Sequence, residues 1–466
     1  MKIPSVFFFV AAGMGVTALA QPGALFNGRD LTGWVQHGGT ANFRVEGGEI
    51  VGTAVLNTAN SFLCTTRDFG DFVLEYDFKV DPRLNSGVQI RSQVYDVPTS
   101  LDWQGEKISI PAGRVHGYQV EIDPDPVRAR WWTAGLYDEA RRKWLYPGSA
   151  GGDEKAFTKL SGSLFKPGEW NHIRVEARGA SLKTWLNGTL CADIVDAVTP
   201  RGFIALQVHE ISDAALAGAE VRWRNLQLTE LPATLNTLTP EEVAAGWRLL
   251  WDGKTTEGWR SAKVENTEFP AKGWKIEDGV LSVLPNGGKE AVGGGDIVTR
   301  EQYSEFELCA DFRVTPGANS GIKYLVQLNL APVNEKGEKA ATGSSIGPEF
   351  QIIDDALHAD AKLGRDGNRT LGSLYDLIPA AATKRPASVG EWNTARIVVK
   401  GARVEHWLNG QQILVYERGS PAFRELVALS KFKFIPGFGE WPAGHILLQD
   451  HGDAVSYRNV RIRDPK

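Results

Sequence analysis

The chain repeats itself over a very long period, which constrains its fold more than any single motif. Phe26-Asn27-Gly28 through Gly33-Trp34 returns as Trp251-Asp252-Gly253 through Gly258-Trp259. Asn85-Ser86-Gly87 returns as Asn319-Ser320-Gly321, Leu136-Tyr137-Asp138 as Leu374-Tyr375-Asp376, and Gly168-Glu169-Trp170-Asn171 as Gly390-Glu391-Trp392-Asn393. Trp185-Leu186-Asn187-Gly188 recurs as Trp407-Leu408-Asn409-Gly410, and Arg224-Asn225 as Arg458-Asn459. Units of about 200 residues exceed solenoid repeats and are large enough for a core each, so the pattern predicts a tandem of two complete domains. The expected division is 21–231 for the first unit, 232–246 for a linker and 247–466 for the second. In the linker, Thr239-Pro240-Glu241-Glu242 predicts a short helix with Thr239 as its cap, Pro240 at its first position and Glu242 closing a capping box.

Within each unit the apolar period is two. Phe72, Leu74, Tyr76 and Phe78 alternate with Val73, Glu75, Asp77 and Lys79, and Phe306, Leu308, Ala310 and Phe312 alternate with Glu307, Cys309, Asp311 and Arg313. Asn187-Gly188 and Asn409-Gly410, each after an alternating run, signal tight hairpins. The 51 Gly, 23 Pro and 15 Trp against 2 Met agree with turn-rich β structure rather than a helical bundle. The expected fold class is all-β, as two tandem β-sandwiches of jelly-roll type.

Lys2, the apolar run Val6–Ala12 and Ala18-Leu19-Ala20 read as a secretory signal peptide over residues 1–20, which predicts a periplasmic or secreted protein beginning near Gln21. No later run is long and apolar enough for a membrane span, and no cysteine follows the cleavage site, so no membrane anchor is expected. Cys64, Cys191 and Cys309 are too few and too scattered for a disulfide framework or a cysteine metal site, although one Cys64–Cys191 bridge is left open. A net charge of −5, from 51 basic and 56 acidic residues, carries no electrostatic footprint for nucleic acid. The partner is expected to be neutral.

Strand phase separates candidate functional side chains from the core, because alternate residues face opposite sides. Val120 and Ile122 face inward, so Gln119, Glu121 and Asp123 share the other face; Phe350 and Ile352 face inward, so Glu349 and Gln351 do likewise. Gln and Glu have changed places between the copies. The same phase puts Gln207 with His209 and Gln449 with His451. Trp185 and Trp407 oppose apolar residues of their own strands, which predicts indoles placed to stack on a sugar ring. His406, on the apolar phase, reads as a core histidine.

No Gly-x-Ser-x-Gly elbow, Walker loop or His-Glu-x-x-His is present, Gly293-Gly294-Gly295 reads as a loop, and Asp123-Pro124-Asp125 does not reproduce a calcium loop. Neither a metal nor another cofactor is predicted. The ordered motifs, closing with Leu448-Gln449-Asp450-His451-Gly452, resemble the bacterial 3-keto-disaccharide hydrolase family, once per unit over nearly the whole mature chain. The resemblance implies a concanavalin-like fold and cleavage of a glycoside or disaccharide already oxidised at C3. A C3 ketone acidifies the C2 proton, so one base can form an enolate and expel the C1 substituent without the two carboxylates of ordinary glycosidases.

On this reading Glu349 is the base of the second unit, with Lys323 and His451 as partners, and Glu121 its counterpart in the first, with Asp123 and His209 nearby. Asn85, Arg91, Gln119, Tyr137, Trp185 and Gln207 would contact substrate in the first unit. Asn319, Gln351, Tyr375, Trp407 and Gln449 would do so in the second. The first unit departs from the pattern at Gln89, where the second has Lys323, and at Val208, where it has Asp450. A tandem that only binds carbohydrate, and a conventional two-carboxylate glycoside hydrolase, remain open alternatives.

Overall fold

The computed structural model describes residues 23–465 except 104, 127–129, 233, 290–292 and 341–342; the expected leader lies outside the described residues. Each half builds two large antiparallel sheets, and the strands common to both halves follow the same order. One sheet of the first unit runs Thr189–Val195, Ser181–Leu186, Asn171–Arg178, Phe72–Val80, Glu220–Glu230, Glu49–Thr53, Asn42–Glu46. Its counterpart runs Gln411–Glu417, Arg403–Leu408, Asn393–Lys400, Phe306–Val314, Val455–Arg463, Val280–Val283, Trp274–Glu277. We call these the back sheets.

In the front sheet of the first unit, His116–Ile122, Ser86–Gln93, Phe203–Val208, Ser61–Thr65 and Trp34–Gly38 lie side by side in that order. The second unit places Glu349–Ile353, Asn319–Leu330, His445–Leu448, Ile297–Thr299 and Trp259–Ser261 in the same succession. Inward faces of the two sheets close on one another, as alternation requires. The first core gathers Phe72, Leu74, Tyr76 and Phe78 with Val120 and Ile122, the second Phe306, Leu308 and Phe312 with Phe350 and Ile352, and the two share no residue.

Local signals act as their chemistry dictates. Asn187 and Asn409 have φ of 48° and 50°, each followed by a glycine in the same left-handed region, the backbone a tight hairpin needs. Thr239 caps the helix Pro240–Ala244, and Glu242 completes the capping box. The three cysteines are buried and free, so no Cys64–Cys191 bridge forms. His406 is buried between the Tyr324 hydroxyl at 2.8 Å and the Gly372 carbonyl at 2.9 Å.

The units are fastened at several places, among them the linker helix and a hairpin of the first unit. Glu242, 1% exposed, accepts the Ala180 amide of the first unit at 2.8 Å and pairs with Arg461 of the second. The hairpin made by Thr99–Trp103 and Glu106–Ile110 reaches from the first unit onto the second, where Leu101 and Val198 pack on Trp407. Gln412 accepts the Asp102 amide at 2.6 Å, and Arg403 pairs with the Asp102 carboxylate at 3.0 Å. Trp407 is therefore sealed between the units, 1% exposed, with its indole N–H donated to Glu405 at 2.8 Å. The prediction that it stacks on a sugar is corrected: alternation did take it out of its own core, but the hairpin of the other unit covers it.

Candidate active site

The outward face of the second front sheet floors a cleft of about 770 Å³, lined among others by Asn319, Lys323, Glu349 and Gln351. Tyr375, Gln449 and His451 also line it, so every residue predicted for this unit except Trp407 is brought together. Lys323 and Glu349 are direct partners on adjacent antiparallel strands, and Gly321 pairs with Gln351. The Asn319-Ser320-Gly321 motif has a steric reason: a Cβ on Gly321 would come within 2.1 Å of the Glu349 carboxylate, which lies across the bare glycine. Glu349 is 5% exposed, and burial pushes its pKa above the ordinary carboxylate value, with Lys323 and Lys431 pulling the other way.

A sequence of contacts supports this pair from behind. The amides of Gly294 and Gly295 bind the buried Asp450 carboxylate at 3.1 and 2.8 Å, so the glycine run cradles a side chain of the protein itself. The Asp450 amide donates to Asp296 at 2.9 Å, and the other Asp296 oxygen stands 3.8 Å from the Lys323 ammonium. Gln351, 1% exposed, finds no partner for either amide atom among the described residues, nor does the side-chain oxygen of Asn319, 4% exposed. Buried polar atoms left this way at the floor of a cleft suit a hydroxyl-bearing ligand.

The far wall comes from residues 418–444, which carry the helix Pro421–Ala428 and then Lys431 and Phe432. Only residues 196–202 join the corresponding strands of the first unit. The Lys431 ammonium lies 4.2 Å from the centre of the Tyr375 ring, and burial lowers its pKa. The Tyr375 hydroxyl donates to Asp360 at 2.8 Å. Asp296, Asp360 and Lys431 were missed because matching the halves sets unmatched segments aside. The signal that finds Lys431 is the extra length between Asn409-Gly410 and Gln449.

His358, His451 and Asp453 bring ligand-type atoms within 4.8 Å of one another. The Asp360 amide, however, donates to His358 Nδ1 at 3.1 Å. The neutral ring then carries its proton on Nε2, so the lone pair a cation needs is already engaged.

In the first unit the same sheet positions hold different chemistry. Gln89 and Gln119 are the direct partners there, in place of Lys323 and Glu349, while Glu121 pairs with Gly87 in the place of Gln351. Glu121 is thus not the positional counterpart of Glu349, which corrects the expectation. It is 3% exposed, accepts from Gln119 at 2.7 Å and from Asn85 at 3.4 Å, and burial holds its pKa well above the usual range. Gln119 also hydrogen-bonds Gln89 and donates to the Gln207 side-chain oxygen at 3.3 Å, while the Gln207 amide nitrogen finds no partner among the described residues. Asp123 is taken by Arg130 at 2.7 Å, and His209 by the Glu210 carbonyl at 2.8 Å. Tyr137, beside Gln119, packs edge-on against Trp144.

Two further predictions for this unit are corrected. Arg91 is fully buried, clamped on the Gly70 and Gly179 carbonyls and Asp71, because its φ of 46° breaks the strand alternation that would have turned it outward. Trp185 stands on the back sheet under the Arg174 guanidinium at 4.5 Å, away from Glu121.

The sequence profile of the 3-keto-alpha-glucoside-1,2-lyase-like domain matches residues 21–229 and again 246–463. The chain belongs to this family. A 3-keto-disaccharide hydrolase of Bacteroides thetaiotaomicron is 36% identical over 243 residues, covering 50% of this chain and 82% of that protein. Among solved structures, a Parabacteroides distasonis protein provisionally assigned as a glycosyl hydrolase is 32% identical, with a TM-score of 0.41, over 50% of this chain and all of that one. A second protein of that organism is 26% identical, with a TM-score of 0.33, over 47% of this chain and 99% of its own.

Proposed function

We propose that the second unit cleaves the glycosidic bond of a disaccharide or related glycoside already oxidised to a ketone at C3. The observation that carries this reading is the Lys323–Glu349 pair on the floor of the cleft, a buried carboxylate of raised pKa with an ammonium directly opposite. Glu349 removes the C2 proton, and the C2–H electrons flow into an enolate whose oxygen on C3 is stabilised by Lys323, which Asp296 faces at 3.8 Å. The enolate expels the C1 oxygen, leaving a C1–C2 double bond conjugated with the restored ketone. Water then adds its hydroxyl to C1, and C2 regains a proton from Glu349, for net hydrolysis. Gln351 and Asn319 hold ring hydroxyls, and His451 contacts the sugar from the rim.

The first unit takes no part in this chemistry, since amides occupy both positions of the acting pair. Export through a leader at residues 1–20 belongs to the same proposal, carried by Lys2, the apolar run 6–12 and Ala18-Leu19-Ala20; sequencing the mature N-terminus is expected to begin near Gln21. Incubation of the purified chain with a 3-keto-disaccharide and with its unoxidised parent tests the activity. Release of free sugar from the ketone alone is the expected result, and binding of both without turnover would replace the proposal by a binding role.

A further inference from the structure

Cleavage as proposed above requires a proton for the departing C1 oxygen, and Glu349 becomes protonated only by taking the hydrogen from C2. A second, independent donor is needed whenever the leaving group is a poor one, as a sugar hydroxyl is.

Position within the sheet restricts the choice. Lys323 lies on the strand to one side of Glu349. On the other side the chain continues to Tyr375, whose amide donates to the Glu349 carbonyl at 3.1 Å, and the Lys431 ammonium lies over that Tyr375 ring. Two ammonium groups therefore flank the base, one on each side. In the substrate, C1 and C3 likewise flank C2, and elimination builds negative charge on the oxygen of each. Lys323 is tied to Asp296 at 3.8 Å. The Lys431 ammonium lies against the faces of Tyr375 and, at 5.2 Å, Phe432, and makes no hydrogen bond or ion pair among the described residues, although the Glu349 and Asp376 carboxylates act on it through space.

We infer that Lys431 is the general acid of the reaction, donating its proton to the C1 oxygen as the C1–O bond breaks, while Lys323 holds the enolate oxygen on C3. The electron pair of the C1–O bond leaves with the oxygen, which takes one proton from the ammonium. Neutral Lys431 then accepts a proton from the water that adds to C1, and Glu349 returns its own to C2, so both groups end as they began. The lowered pKa of Lys431 suits a donor more than a fixed charge. The donor belongs to the segment 418–444, whose first-unit counterpart is the short connection 196–202, so the acid, like the base, is found only in the second unit.

The test compares two 3-keto-glucosides, one with a 4-nitrophenyl and one with a methyl leaving group, in the full-length protein and its Lys431→Met and Lys431→Arg variants. Nitrophenolate departs without help, so the loss caused by Lys431→Met is expected to be on the order of 10²-fold greater with the methyl glycoside than with the 4-nitrophenyl one. Arg cannot give up a proton at neutral pH, so Lys431→Arg should fail on the methyl glycoside in the same way. In heavy water, Lys431→Met should still exchange the C2 hydrogen of the methyl substrate. An equal loss on both substrates, or rescue by Arg, would overturn the assignment. If the wild-type protein cleaved neither ketone, the activity proposed above would itself fail.

Discussion

Lys323 and Glu349 face each other across neighbouring antiparallel strands, and Gln89 and Gln119 occupy the same two places in the first unit. One duplication thus carries a charged pair under a cleft and the other a hydrogen-bonded amide pair, 0% and 1% exposed. The amide pair is hydrogen-bonded across its strands, whereas Lys323 has Asp296 as its ion partner at 3.8 Å. Only the charged version can move a proton.

Replacing Glu349 by Gln removes the base while keeping size and shape. Turnover of the keto-glycoside is expected to fall by about 10²–10⁴-fold, and exchange of the C2 hydrogen in heavy water to stop with it. Steady-state kinetics and proton NMR on one sample check both.

Glu121→Gln is expected to leave kcat and KM within twofold of the parent, because this carboxylate sits where the acting unit has Gln351. A loss comparable with that of Glu349→Gln would show that both units act.

Burial raises the Glu349 pKa, so the folded chain binds this proton more tightly than the unfolded chain. The contribution of Glu349 to stability is then fully present below its unfolded pKa and falls as pH rises through the folded value, levelling off above it. Activity should rise over the same interval, as the carboxylate ionises. Melting curves of the wild type and Glu349→Gln at a series of pH values are predicted to diverge with increasing pH, the variant being the more stable at neutrality.

Trp407→Ala is predicted to cost about 3–5 kcal/mol of stability with no specific change in KM, since the indole is packed under Leu101 and Val198 of the other unit. Glu242→Ala should also destabilise, by about 3–5 kcal/mol, as it leaves Arg461 without its buried partner. It should further separate the melting of the two units, which calorimetry resolves.

Much of this architecture is legible in the amino-acid order, because local chemistry and tertiary structure agree there. The period-two runs, the Asn-Gly hairpins and the Thr239 cap each need only neighbours in sequence, and the phase of Glu349, Gln351 and Gln449 correctly takes them off the core. Alternation reports which face of a strand a side chain occupies, but not which sheet the strand joins or what covers it. For that reason Trp185 and Trp407 were read as sugar platforms, whereas they stand on back sheets, one under an arginine and one beneath the other unit's hairpin. Arg91 was misplaced by a single left-handed residue that leaves no trace in the apolar pattern. Lys431 escaped because the segment bearing it has no matching stretch in the other half.

Action of the cleft over Lys323 and Glu349 on a C3 ketone, as proposed, is open to direct test. Its most direct measurement follows a 3-keto-disaccharide and its unoxidised parent side by side with the wild-type protein, by NMR in heavy water. Release of the sugars from the ketone only is expected, with deuterium entering C2 faster than in the enzyme-free control. Cleavage of the unoxidised parent at a comparable rate, or of the ketone with C2 untouched, would contradict it.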